Sequence, residues 1–331
     1  MGYNIAIVGA TGLVGTTFLR VLEERNFPID ELYLFASSRS AGKKITYKGK
    51  EYIIEELNET SFDREIDYAL FSAGGEISKK YSPIAASKGV VAIDNSSAFR
   101  MEKGVPLIVP EVNPEAVVAH KNIIANPNCS TIQSVVPLKA IDDRWNIKRV
   151  VYSTYQAVSG SGLAGIRDLE EGIKGAPPTN YPHPIAFNCI PQIDVFLENG
   201  NTKEEEKMIQ ETRKILEKPE LRVSATCVRV PVKHGHSISI NLELEDAFQL
   251  GEVRKVLEES EGIVVVDDVD NLLYPMPADV EGRDEVFVGR IRRDESLENG
   301  LNLWVVADNI RKGAATNTVQ IAELLIKNRG K

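Results

Sequence analysis

The chain has 331 residues, 43% of them hydrophobic and 26% charged, with 39 basic side chains against 48 acidic ones. Such a length suggests two domains with a large core, and the composition is that of an ordinary globular protein. A formal net charge of −9 without a long basic run argues against a nucleic-acid partner, and no apolar run approaches membrane-spanning length.

The three cysteines, Cys129, Cys189 and Cys227, are widely spaced and contain no C-x-x-C pair, which fits neither a disulfide framework nor a structural zinc site. The chain begins with Met1-Gly2-Tyr3-Asn4 and lacks the basic start of a secretory signal, while Ala6 stands where a myristoylation motif needs Ser or Thr. A reducing, cytoplasmic setting is the expectation, one in which a free thiol persists.

In chain order, Asn4 to Val8 is a short apolar run, Gly9-Ala10-Thr11-Gly12-Leu13-Val14-Gly15 follows, and Thr16 to Arg25 has apolar residues at helical spacing. This is the strand, glycine turn and helix of a dinucleotide-binding unit. Gly9 allows the tight turn, Gly12 lets the backbone approach a pyrophosphate, and Gly15 lets helix pack on strand. After the next strand, Leu32 to Ala36, the chain reads Ser37-Ser38-Arg39-Ser40. Hydroxyls and a guanidinium suit a 2′-phosphate, and no carboxylate stands there, which favours NADP over NAD.

Further strands are predicted at Asp67 to Ser72, Val90 to Asp94 and Ile123 to Ala125, with a helix over Ile77 to Lys88. The alternation implies a parallel, doubly wound sheet of Rossmann type with its ligand along the carboxyl ends of the strands. At those ends Ser72-Ala73-Gly74-Gly75 permits a close cofactor approach. Arg100, on the loop after Asp94, is either an exposed charge or an anion ligand.

The run Asn126-Pro127-Asn128-Cys129-Ser130-Thr131 delivers a cysteine to the start of a helix that runs to about Asp143, with Asn128 as its cap. The dipole there favours a thiolate, so Cys129 reads either as an activated nucleophile or as an inert buried thiol. Beyond it, Val150 to Ala157 alternates like an antiparallel strand and leads into Ser159-Gly160-Ser161-Gly162, which reads as a flexible turn. Gly175 to Pro191 carries five prolines and reads as an arm or interface loop.

Thr202 and Glu205 form a capping box for a helix whose Glu204 and Lys207, at i and i+3, would ordinarily be a surface pair. Strand patterns follow at Arg222 to Val232 and Ser237 to Glu245, the second with Ile238, Ile240, Leu242 and Leu244 on one face. His234 and His236 lie between them. A metal pair is conceivable but lacks a matching ligand set, so no metal is expected; a proton donor and acceptor for Cys129 is the stronger role. Strands over Glu285 to Arg292 and Leu301 to Val306 precede an amphipathic helix that ends near Ile326.

Taken together, Gly9 to Gly15, Asn95 to Arg100, Pro110-Glu111-Val112-Asn113, Asn126 to Thr131, Arg229 to His236 and Arg311 to Ala315 resemble aspartate-semialdehyde dehydrogenase, nearly end to end. The resemblance implies three parts: an NADP-binding domain over 1–127, an α+β catalytic and dimerisation domain with a mainly antiparallel sheet over 128–308, and a C-terminal helix over 309–331 that returns to the first domain. It implies NADPH-dependent reductive dephosphorylation of L-aspartyl 4-phosphate to L-aspartate 4-semialdehyde and phosphate, a step toward lysine, threonine and methionine. A homodimer is implied, with a tetramer as the alternative assembly.

Carried over by position, Cys129 is the nucleophile, His236 the acid/base and Gln156 the group that orients the thioacyl intermediate. Arg229 holds the α-carboxylate and Glu204 the α-amino group, while Arg100 and Lys207 bind phosphate. Cofactor contacts are expected from Gly9, Thr11, Gly12, Leu13, Val14, Gly15, Ser37, Arg39, Ser40, Ser72, Ala73 and Gly74, and from Ser159, Gly160 and Asn309. His234 departs from this pattern by adding a second imidazole. The rival readings are an N-acetyl-γ-glutamyl-phosphate reductase, whose glycine-proline-glycine run around the cysteine is absent, and a non-catalytic nucleotide-binding relative.

Overall fold

The computed structural model describes residues 2–329, which form two compact units, 2–127 with 314–329, and Asn128–Gly313. In the first unit the chain alternates β1 (Tyr3–Val8), α1 (Leu13–Glu24), β2 (Ile29–Ala36), β3 (Lys44–Tyr47), β4 (Lys50–Glu56), β5 (Tyr68–Phe71), α2 (Gly75–Ser87), β6 (Val91–Asp94) and β7 (Ile123–Ala125). These strands form one sheet in the order β3-β4-β2-β1-β5-β6-β7, parallel except where β3 pairs antiparallel with β4. Ile5 to Val8 of β1, all of β5 and Val91 to Ile93 of β6 are continuous apolar runs because both faces of the sheet are covered.

One face packs Phe18 and Leu22 of α1 with Val319 and Ala322 of the last helix, and the other packs Tyr81 and Ala85 of α2 against Phe35, Phe62 and Phe71. Helix α1 begins at Leu13, three residues before the predicted Thr16. The β3–β4 hairpin escaped the sequence reading because its alternation is short, half-polar and interrupted by Lys48-Gly49.

The second unit runs α3 (Cys129–Trp145), β8 (Ile147–Gln156), α4 (Gly162–Gly172), α5 (Lys203–Ile215), β9 (Arg222–Arg229), β10 (His236–Leu244), α6 (Leu250–Glu258), β11 (Ile263–Val265), α7 (Pro277–Val280), β12 (Val286–Asp294) and β13 (Gly300–Ala307). Its sheet has the order β11-β12-β13-β10-β8-β9 and is mixed: the three central pairings are antiparallel, while β11 with β12 and β8 with β9 run parallel. In β10, Ile238, Ile240, Leu242 and Leu244 are buried and Ser239, Asn241 and Glu243 lie on the more open face, the alternation the sequence predicts.

Where the sequence suggested a flexible turn, residues 158–161 make a 3-10 turn that leads into α4. Gly162, at φ 69, supplies the backbone geometry of that junction. After β13 a π-helical turn, Arg311–Ala315, leads into α8 (Thr316–Arg329). Among the described residues no helix is long and apolar enough to cross a membrane.

Candidate active site

Cys129 is the first residue of α3. Asn128 leaves extended backbone there, and its Oδ1 accepts from the N–H groups of Ser130 and Thr131 at 3.0 and 3.3 Å. Two buried carboxylates of α5, two helical turns apart, hold this turn from below: Glu211 Oε2 accepts the Asn128 N–H at 2.6 Å, and Glu204 Oε1 accepts the Asn128 side-chain amide at 2.8 Å. The N-cap that sequence places at Asn128 is thus itself clamped. Gly313 presses on the other side, where a Cβ would stand 2.8 Å from Cys129 Cβ.

His236, the first residue of β10, is fully buried and brings Nε2 to 3.2 Å from Cys129 Sγ. Its Nδ1 accepts the N–H of Ala157 at 3.0 Å. A peptide N–H can only donate, so the neutral ring carries its proton on Nε2, facing the sulfur. Burial, followed by the neighbouring Arg229 cation, pushes the imidazole down to about 3 against the opposing charge of Glu204, so the ring is neutral at physiological pH. Gln133, on the next turn of α3, donates to the His236 carbonyl at 3.0 Å and fixes the strand end that carries the ring. His234 lies elsewhere, with Nε2 3.7 Å from Glu281.

Glu204 is 5% exposed and is a hub rather than part of a surface pair. It accepts from Asn128 and from Gln156 Nε2 at 3.0 Å through Oε1, and pairs with Lys207 at 3.1 Å through Oε2. Burial alone would raise its pKa, but the Lys207 charge and the amides of Gln156 and Asn128 hold it down to about 2. Lys207 also meets Asp194 at 3.0 Å. Gln156 is anchored at both ends, since Thr154 donates to its Oε1 at 3.0 Å. Arg229, 5% exposed, donates through Nη1 to the Ala157 carbonyl at 2.7 Å, and its buried Nε has no protein partner.

Gly160 forms a wall of the same site. A Cβ there would stand 2.9 Å from Arg229 Nη1 and 3.4 Å from the His236 ring. Ser159 and Asn309 bond each other, and Asn309 Oδ1 accepts the Gly235 N–H at 3.0 Å, which ties the loop after β8 to the turn before His236. Cys227, on β9, is buried, with its pKa raised by burial.

In the first unit a cleft of about 580 Å³ is lined by Gly9, Thr11, Gly12, Ser37, Ser38, Arg39, Ser72 and Ala73, among others. Gly9, at φ 90, lies so close to β5 that a Cβ would stand 2.4 Å from the Ser72 carbonyl, and a Cβ on Gly15 would stand 2.1 Å from that of Gly9. Helix α1 starts here without a side-chain cap, leaving its first N–H groups for an anion. Leu13 and Val14 lie in its first turn, the Ser40 N–H closes the turn that contains Arg39 by donating to the Ser37 carbonyl, and Gly74 precedes α2. Ser159, Gly160 and Asn309 belong to the second unit. Arg100 is buried in the first unit, where it donates to the carbonyls of Asn126 and Asn95 at 2.9 and 3.0 Å.

Sequence reasoning missed Glu211, Asp194, the Ala157 N–H and Gly313, none of which carries a local signal. It also missed Glu56, at the end of β4, a carboxylate that lines the first-unit cleft with Arg39. Only the β2–β4 pairing, Ala36 opposite Glu56, brings it there.

Comparison with known proteins follows the same division. The family model "Semialdehyde dehydrogenase, NAD binding domain" matches residues 4–120, and "Semialdehyde dehydrogenase, dimerisation domain" matches residues 138–312. Aspartate-semialdehyde dehydrogenase of Aquifex aeolicus is 60% identical over 99% of both chains. The crystal structure of aspartate semialdehyde dehydrogenase II from Vibrio cholerae in complex with ASA superposes with a TM-score of 0.95 at 50% identity, covering 99% of both chains. The enzyme of Candida albicans, solved with NADP, gives a TM-score of 0.77 at 28% identity over 98% of both. With family models across both units and such identity along the whole length, the chain belongs to the aspartate-semialdehyde dehydrogenase family.

Proposed function

We propose that the chain reduces L-aspartyl 4-phosphate to L-aspartate 4-semialdehyde with release of phosphate, using NADPH and a thioester on Cys129. The observation that carries this is Cys129 Sγ at a helix start, 3.2 Å from a ring nitrogen whose proton faces it. The first unit takes the cofactor and the second, 128–313, carries out the chemistry; the return of the chain to the first unit, expected from residue 309, begins at Ala314. The enzyme works as a cytoplasmic homodimer in the biosynthesis of lysine, threonine and methionine.

Cys129 attacks the acyl carbon as a thiolate, and phosphate leaves with the electron pair of the C–O bond. The Nε2–H of neutral His236, together with the dipole of α3, supports the negative sulfur, so the thiolate needs no imidazolium partner. Arg229 offers its unpartnered Nε to the α-carboxylate, and ionised Glu204 takes the α-ammonium while keeping Gln156 aimed at the thioester. Lys207, its cationic form favoured above all by Glu204 against the effect of burial, and Arg100 neutralise the phosphate. Reduced nicotinamide, when bound, supplies hydride to the thioester carbon. His236 Nε2–H then donates a hydrogen bond to the hemithioacetal oxygen, and collapse returns the thiolate to Cys129.

The first-unit cleft fits a dinucleotide: Gly9 and Gly15 let the turn pack against the end of β5 and the helix against the turn more closely than any Cβ would allow, and the uncapped start of α1 lies at the cleft. Ser37, Ser38 and Arg39 on its rim, and the NADP bound by the Candida albicans relative, support the phosphorylated cofactor. Phosphate-dependent reduction of NADP by aspartate semialdehyde tests the whole reading. Folded protein with no such activity would overturn it.

A further inference from the structure

The proline-rich segment 175–191 is largely exposed, with Phe187 open to solvent, and sequence reads it as an arm. One point of it is pinned. Asp168 of α4, 5% exposed, accepts four groups from three consecutive residues: the N–H and hydroxyl of Thr179 at 2.9 and 2.7 Å, the N–H of Asn180 at 2.8 Å and that of Tyr181 at 3.0 Å. These bonds outweigh the effect of burial and hold the carboxyl down to about 2, so the clamp is ionised at working pH. An exposed loop needs no such clamp unless it has something to hold in place.

What it holds is Tyr181. The half-buried side chain turns inward, and its hydroxyl meets the Val158 carbonyl at 3.3 Å and Ser161 Oγ at 3.1 Å. Its ring centre lies 5.9 Å from the Arg229 guanidinium carbon. Gly165 makes room, since a Cβ there would stand 2.5 Å from the tyrosine hydroxyl. The loop it bolts, Val158 to Ser161, is the one whose Gly160 walls Arg229 and His236.

We propose that Tyr181, delivered by the Asp168 clamp, is a positioning residue that holds Arg229 and the Val158–Ser161 loop in place for the substrate α-carboxylate. The arm is therefore part of amino-acid recognition and not only surface. This rests on the reading of Arg229 as the carboxylate ligand, and the experiment separates the two.

Steady-state constants for aspartate semialdehyde, phosphate and NADP are measured for Tyr181→Phe, Tyr181→Leu, Asp168→Asn and Arg229→Met, with melting temperature and Cys129 alkylation as checks on the fold. Tyr181→Leu raises KM for the semialdehyde about tenfold, the scale of a desolvated cation–π contact plus a loosened loop, and leaves KM for phosphate and NADP unchanged. Tyr181→Phe keeps the ring and recovers most of the loss. Asp168→Asn moves the same constant in the same direction. A folded Tyr181→Leu with wild-type KM for the semialdehyde overturns the proposal, as does an equal rise in all three constants. If Tyr181→Leu fails to fold, the decision passes to Asp168→Asn, whose unchanged KM would overturn it. An Arg229→Met enzyme with unchanged semialdehyde KM removes the reading of Arg229 itself.

Discussion

Around the first-unit cleft, Gly9, Gly12, Ser72 and Ala73 present main chain and short side chains, and the shape follows from strand ends and a helix start. Around Cys129 the lining is Glu204, Gln156, Arg229, His236 and Asn128, buried polar side chains that hold one another. A site made of backbone is sensitive to added atoms and tolerant of charge. A site made of buried charged groups is the reverse: each partner removed leaves another unpaired in low dielectric. The two sites should therefore break in different ways.

The largest effect belongs to the side-chain site. Cys129→Ser removes the thiolate, and His236→Asn removes the N–H that faces it at 3.2 Å. Each should lower turnover by about 10²- to 10⁴-fold, with cofactor affinity intact. His234→Asn, whose partner is Glu281, should stay near wild type. Equal losses in both histidine variants would show that geometry has picked the wrong ring.

Next comes the backbone site. Gly9→Ala places a Cβ 2.4 Å from the Ser72 carbonyl at φ 90, so strand and turn must part. The strain, about 1–3 kcal/mol, should appear as lower melting temperature and weaker cofactor binding, measured by calorimetry and fluorescence titration. Cys129 alkylation should not change. If Gly9→Ala slows alkylation as much as it weakens cofactor binding, the two sites are not independent in the way their construction suggests.

This contrast also explains what the sequence disclosed. A backbone site needs glycines at fixed spacing between a strand and a helix, so Gly9, Gly12 and Gly15 were readable in one window, as was the Asn128 cap. The side-chain site draws on α3, β8, α5, β9 and β10, residues 129 to 236, and no local window contains that convergence. Cys129, Gln156, Glu204, Arg229 and His236 were assembled in advance through resemblance rather than spacing. Glu211 and Gly313 stayed hidden because a buried carboxylate on a helix and a glycine after a strand look ordinary until their neighbours are known.

A smaller effect is expected with acid. His236 is held at about 3 against a usual 6.5, so below pH 6.5 the unfolded chain binds a proton that the folded chain refuses. Stability is therefore lost as pH falls from 6.5 toward 3. Glu204, at about 2 against a usual 4.5, adds stability that is present above pH 4.5 and lost as pH falls toward 2. Melting temperature followed against pH should fall in both windows for the wild type, while His236→Asn flattens the upper one. An unchanged slope in the variant between pH 6.5 and 4.5 would mean that the ring is protonated in the folded enzyme.

The smallest effect tests whether charge matters at all in a site made mainly of backbone. Arg39 and Glu56 both line the rim of the first-unit cleft, brought together by the pairing of β2 with β4. The guanidinium favours a 2′-phosphate and the carboxylate opposes it, with both side chains exposed, so solvent screens each contribution. Glu56→Gln should raise the ratio of kcat/KM for NADPH over NADH by about two- to fivefold, roughly the energy of one screened charge, without altering either kcat. Arg39→Gln should lower the same ratio by more, because it removes hydrogen bonds as well as charge. If Glu56→Gln leaves the ratio unmoved while Arg39→Gln lowers it, the rim is read through hydrogen-bond geometry alone, and the contrast between the two sites becomes sharper.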